Sequence, residues 1–135
     1  MHIKIQSTTR KEMVDITARV QEVVTASGMR SGLCHIFVPH TTAAITLNEN
    51  ADPDVQEDMN RTLSRLIPVD PDYRHMEGNS DAHMKASLIG ASEVLAVRDG
   101  RLDLGRWQAI YFWEFDGPRK REVRILLLPQ QERGF

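Results

Sequence analysis

The sequence predicts an α+β domain, a mainly antiparallel β-sheet carrying two to three helices. Three observations predict it. Apolar and polar residues alternate at the start of the chain, two segments place apolar residues at helical spacing, and the last third alternates short apolar runs with turn dipeptides.

Taken in order, Ile3 and Ile5 sit between polar neighbours and predict a first strand. From residue 11 to residue 27 the period changes. Met13, Ile16, Val20, Val23 and Val24 fall on one helical stripe, and Gly28 supplies the C-terminal stop. The apolar run from Leu33 to Val38 predicts a buried strand, in which His35 reads as a sheet residue and Cys34 as core. Asp52-Pro53-Asp54 reads as an N-cap followed by proline at the first helical position. Val55, Met59, Leu63 and Leu66 continue that helix along one face until Pro68 ends it. Asp54, Glu57 and Asp58 suit its positive end. Residues 68 to 79 form a polar connection whose length suggests function. Ser80 or Asn79 then caps a short helix that reaches Ile89 and stops at Gly90. Val94–Val97 predicts a strand and Asp99-Gly100 a tight turn. The runs Ala109–Trp113 and Val123–Leu128 flank Asp116-Gly117-Pro118-Arg119-Lys120 and predict a second hairpin. With no repeat or linker in view, residues 1–135 read as one domain.

Composition narrows the function. The chain is 41% hydrophobic and 27% charged, with a net charge of −2 and acids and bases mixed along its length. That balance argues against a nucleic-acid partner held by a basic field. Its single cysteine excludes an internal disulfide and a thiolate zinc site within one chain. Met1–Gln6 lacks a basic segment followed by a long apolar one, and no run approaches the roughly 18 apolar residues of a membrane span. The expectation is a cytoplasmic protein with no membrane partner.

Three histidines lie in two polar stretches: His40 before Thr41-Thr42, and His75 and His83 around Glu77-Gly78-Asn79. Imidazole titrates near neutrality and is the commonest metal ligand. His40 follows an apolar strand, so its ring is expected at a sheet end. The two threonine hydroxyls suit an anion or the orientation of the ring, or simply favour extended backbone. The gap from His75 to His83 crosses a loop-to-helix junction and can turn both rings to one point. A two- or three-histidine divalent site from His40, His75 and His83 follows as one expectation, with Mg or Zn as the ion. Ordinary loop and helix residues are the other. Glu49 can act as a base or orient a histidine, or only solvate its loop. Asn50 can bond an amide or carbonyl, and the helix start after it offers N–H groups to phosphate. Arg119 and Arg121, on a turn after Glu114 and Asp116, suit phosphate or form a solvated tip. Trp107 before Gln108 suits packing or ligand stacking.

His40-Thr41-Thr42-Ala43, Asn48 through Pro53, His75 through His83, Gly105-x-Trp107-Gln108 and Asp116-Gly117-Pro118-Arg119 together resemble the YjbQ family, described as secondary thiamine-phosphate synthase enzymes. The resemblance covers nearly the whole chain with the motifs in order. Arg106 departs from it, standing where the family usually carries serine or threonine.

The resemblance implies a small α+β fold that forms a homotrimer, with the motif residues lining a pocket near the subunit interface. It also implies a reaction joining hydroxymethylpyrimidine diphosphate to thiazole phosphate with release of pyrophosphate. Under it, His40, Glu49, Glu77 and Arg119 are the expected catalytic residues. Thr41, Thr42, Asn50, Asn79, Trp107, Gln108 and Arg121 are expected to bind substrate, and His40, His75 and His83 to hold the divalent ion. Three classes stay open: a weak synthase of this kind, a metal-dependent enzyme acting on another phosphorylated or heterocyclic metabolite, and a non-catalytic small-anion-binding protein.

Overall fold

The computed structural model describes residues 1–131. Strand β1 (His2–Gln6) follows the predicted alternation, with Ile3 and Ile5 buried. The predicted helix over residues 11–27 divides in two. Its first part is strand β2 (Glu12–Asp15), and helix α1 (Thr17–Ser27) begins only after Ile16. The strand wins because Met13 and Val14 pair with Trp113 and Phe112. The Asp15 carboxylate then accepts the Thr17 N–H at 2.9 Å and closes the junction. Ile16 still lies one turn before Val20, whose N–H bonds its carbonyl at 3.0 Å, so the stripe runs on across the boundary. Gly28, at φ 75°, ends α1 as predicted.

Strand β3 (Gly32–Phe37) carries buried Cys34, whose thiol burial pushes up to about 11 and leaves unreactive. Strand β4 (Ala43–Glu49) carries no sequence prediction. Helix α2 (Pro53–Leu66) starts as read, with the Asp52 carboxylate accepting the Asp54 N–H at 2.9 Å. Helix α3 (Ser80–Ile89) stops at Gly90, whose N–H bonds Ala86. Strands β5 (Ser92–Arg98) and β6 (Arg101–Leu102) close on Asp99-Gly100, both at positive φ as a two-residue hairpin turn demands.

Strands β7 (Gln108–Glu114) and β8 (Lys120–Pro129) do not form the predicted hairpin. Both edges of β7 are taken by β2 and β4, and both edges of β8 by β1 and β3. The chain between them therefore crosses from a three-stranded sheet, ordered β2-β7-β4, to a five-stranded one, ordered β1-β8-β3-β5-β6. All pairings are antiparallel. The β1–β2 connection makes the same crossing, and the two are bonded together, Ser7 N–H to Arg119 O and Gly117 N–H to Arg10 O at 3.0 Å each. A Cβ on Gly117 would stand 2.3 Å from the Thr9 carbonyl, so this close approach requires glycine.

The described residues form one α+β domain with three helices. Ile3, Ile5, Ile36, Val123 and Ile125 from the larger sheet meet Ile45, Ile110 and Phe112 from the smaller one, with Val20 and Val24 of α1, in the main core. On the other face of the smaller sheet, Ala44, Trp113 and Phe115 pack with Leu63 of α2 and Ala82 and Ala86 of α3. Among the described residues no helix is long and apolar enough to cross a membrane.

Candidate functional site

His40 stands where the chain leaves the buried strand end at Val38, and its ring is half-buried. Its Nε2 accepts the backbone N–H of Glu122 at 3.0 Å. That bond assigns the proton of the neutral ring to Nδ1. Burial and the nearby Arg121 lower its proton affinity below the usual histidine value, against the Glu122 hydrogen bond. His40 is thus a neutral donor at Nδ1. It lines a cavity of about 600 Å³ together with Lys4, Gln6, Lys120 and Arg121.

Behind this cavity lies a buried polar node. Arg121 donates through Nε to Glu114 Oε1 at 2.8 Å and through Nη2 to Glu114 Oε2 and to Thr42 Oγ1, the latter at 2.8 Å. Ser7 Oγ donates to Glu114 Oε1 at 2.7 Å, and the Phe115 and Asp116 N–H groups donate to Oε2 at 3.1 Å. Burial alone would push the Glu114 carboxyl up. The donors from Arg121, Ser7 and Asp116 outweigh it and hold the group below the usual glutamate range. Glu114 is fully buried and Arg121 nearly so. Such a pair positions its surroundings more than it stabilises them.

The node continues toward α3. Asp116 accepts from Asn79 Nδ2 at 2.7 Å and from Arg119 Nη2 at 3.0 Å, while Glu77 accepts from the same Asn79 amide at 3.4 Å. Turned to these carboxylates, Asn79 makes no side-chain cap on α3. Its Oδ1 is the one buried side-chain polar atom without a partner among the described residues. One turn on, His83 meets His75 edge to face, ring centroids 5.3 Å apart. The loop-to-helix junction does bring these two rings together.

Other expected site residues lie elsewhere. Thr41 is exposed. Glu49 pairs with Gln108, whereas Ala43 pairs with Glu114, so Glu49, Asn50, Trp107 and Gln108 sit six residues along β4 from the node. At about 3.4 Å per residue that is roughly 20 Å. Gln108 there accepts the Gly105 N–H at 2.8 Å, and Arg106 lies over the exposed Trp107 ring, 4.9 Å from its centroid. Among the described residues no three His, Cys, Asp or Glu side chains are placed to hold a metal ion. With His40 Nε2 already bonded to Glu122, the residues of one chain do not fit the expected three-histidine ion.

The sequence reads Glu114 and Asp116 only as part of a charged run, and it passes over Ser7, Lys4 and Lys120. Glu114 had one signal, a charged residue at the end of an otherwise apolar strand run. The lysines had none, because only the β1–β8 pairing brings them to His40.

The model of the UPF0047 protein YjbQ-like family matches residues 1–130. The chain belongs to the YjbQ family. The UPF0047 protein YugU of Bacillus subtilis is 51% identical over 127 residues, covering 93% of this chain and 96% of its own. A UPF0047 protein of Methanocaldococcus jannaschii is 48% identical over 125 residues, covering 93% and 91%. Among solved structures, a YjbQ/UPF0047 protein of Clostridium acetobutylicum superposes with a TM-score of 0.92 at 46% identity, covering 95% of this chain and 99% of its own. A Sulfolobus solfataricus relative described as of unknown function gives 0.92 at 35% identity, covering 96% of each chain. YjbQ membership thus carries the fold.

Proposed function

We propose that this chain is a phosphate-handling transferase of the secondary thiamine-phosphate synthase kind, slow in that reaction, with its chemistry centred on His40. The observation that carries the reading is the neutral His40 ring lining a cation-bordered cavity beside the Arg121–Glu114–Thr42 node. In the reaction the thiazole nitrogen forms a bond to the pyrimidine methylene carbon. The carbon–oxygen bond to diphosphate breaks, and pyrophosphate leaves with the electron pair. What this needs from a protein is donors for the departing oxygens and exclusion of water from the carbon. His40 Nδ1–H supplies a donor without adding a charge, and Arg119 offers a guanidinium at the crossing, oriented by Asp116. Glu49 or Glu77 would contact the aminopyrimidine.

Glu49, Asn50, Trp107 and Gln108, at the far end of β4 and β7, would reach the same ligand from a second copy in the homotrimer that the resemblance implies. The outer face of the larger sheet supports self-association. Leu33, Val94, Leu126 and Leu128 are exposed on it, an apolar patch that a second copy can cover.

Turnover of the two phosphorylated substrates by purified protein, with His40→Ala, His83→Ala and Arg119→Ala alongside, tests the reading. His40→Ala and Arg119→Ala are each expected to lower kcat about 10-fold or more. Activity surviving all three substitutions would refute the placement, and absence of turnover in the wild type would refute the reaction.

A further inference from the structure

We propose that the cavity beside His40 is a binding site for a dianionic phosphate group, with Lys4 and Lys120 as its charge-bearing ligands. This rests on the phosphate-handling reading above and names the groups that hold the phosphate. The β1–β8 register pairs Lys4 with Glu122 and Gln6 with Lys120. The two lysines are therefore diagonal neighbours across the strands, about 7–8 Å apart at the backbone, and long side chains at that spacing reach a common point. Both line the cavity with His40.

Neither lysine takes part in an ion pair among the described residues. The other charges at the cavity are already matched. Arg121 is bound to Glu114, and Glu122 is held by Arg124 at 2.9 Å and by His2 at 3.0 Å. Glu122 stands directly across the strands from Lys4 but its carboxylate is held by Arg124 and His2, so neither ammonium group at the cavity has a carboxylate of its own. Two positive charges with a neutral donor at the same cavity match a dianion better than a carboxylate, and lysine binds phosphate as a mobile point charge. A volume of about 600 Å³ exceeds what one phosphate needs and leaves room for an organic body of metabolite size on it.

Calorimetric titration of the full-length protein with inorganic phosphate, with thiazole phosphate and with sodium chloride as a control tests this. The wild type is compared with Lys4→Gln, Lys120→Gln, the double variant, and Arg61→Gln on the exposed face of α2. Both lysines are on the surface, so the variants are expected to fold. We expect one phosphate per chain, an affinity about five-fold weaker in each single variant and about 25-fold weaker in the double one, and no change in Arg61→Gln. Tighter binding of thiazole phosphate than of inorganic phosphate identifies the ligand as an organic phosphate. Equal affinities support the phosphate site and overturn the organic body.

Phosphate that fails to bind, or that binds all variants alike, refutes the lysine assignment even if turnover is present. Lysine-dependent phosphate binding without turnover supports the site and refutes the transfer reaction alone.

Discussion

Replacing Glu114 by glutamine tests the buried node directly. The carboxylate accepts five hydrogen bonds, from Ser7 Oγ, the Phe115 and Asp116 N–H groups, and Nε and Nη2 of Arg121. A glutamine amide turns one oxygen into a donor. Whichever way it is turned, its NH2 then faces at least two existing donors, and the Arg121 guanidinium loses its counter-charge while staying buried. Breaking one partner of a buried ion pair costs about 3–5 kcal/mol, against a total of about 5–15 kcal/mol for a domain. At an m of about 2 kcal/mol/M in urea, the unfolding midpoint should fall by about 2 M. Glu114→Leu combined with Arg121→Met removes both charges but leaves the Phe115 and Asp116 N–H groups and Ser7 Oγ unanswered, so it should recover only part of that loss.

The same pair sets an acid limit. Glu114 is held below the usual glutamate value of 4.5, so its contribution is complete above that value and is lost as pH falls through the lowered folded value. Glu114→Gln should therefore flatten the stability profile below about pH 4.5. A loss under about 1 kcal/mol in urea would mean that water reaches the pair, and the positioning role assigned to it would fall.

Two further outcomes follow from local geometry. His40 is held neutral in the fold, so stability is complete above its ordinary value of 6.5 and declines as pH drops from there toward the lowered folded value. Nitrogen NMR should show the proton on Nδ1, and His40→Gln should remove the decline below pH 6.5; an Nε2–H signal would contradict the Glu122 bond. Gly117→Ala places a methyl into the Thr9 carbonyl and should cost about 1–3 kcal/mol in thermal or urea unfolding, whereas an unchanged midpoint would show that the two crossings separate easily.

The elements legible in the sequence are those whose signals are local. Asp52-Pro53 capped α2, Gly90 closed α3 and Asp99-Gly100 turned β5 into β6, each through neighbouring residues. Strand β4 escaped because its first three residues, Ala43 to Ile45, are all buried, between the main core on one face and α3 on the other. A strand covered on both faces loses the alternation that marks a half-buried one. Strand β2 escaped because Met13 and Ile16 continue the spacing of α1 across a real boundary. In the site, the residue types were legible and their partners were not. His40, Thr42, Arg121, Asn79 and the His75–His83 pair could be singled out as chemistry. That Asn79 turns from its own helix to Asp116, or that Lys4 joins His40, depends on contacts between residues far apart in the chain.

The false hairpin and the node have one cause. Four strand-to-strand connections pass from one sheet to the other, and three of them, β1–β2, β3–β4 and β7–β8, lie together. They meet at one place, where Ser7 bonds Arg119, Gly117 bonds Arg10, and Phe115 bonds the Thr42 carbonyl. Chain that leaves a sheet gives up its ladder partners, and buried N–H groups there must be answered by something else. The Glu114 carboxylate answers those of Phe115 and Asp116, and Ser7 Oγ answers that of Arg119. A carboxylate brought in to satisfy backbone needs a cation in turn, which Arg121 supplies. The crossing therefore concentrates oriented donors and charges at the open ends of both sheets, beside His40. A polar site is built there as a consequence of the topology, and the His40 cavity opens beside it.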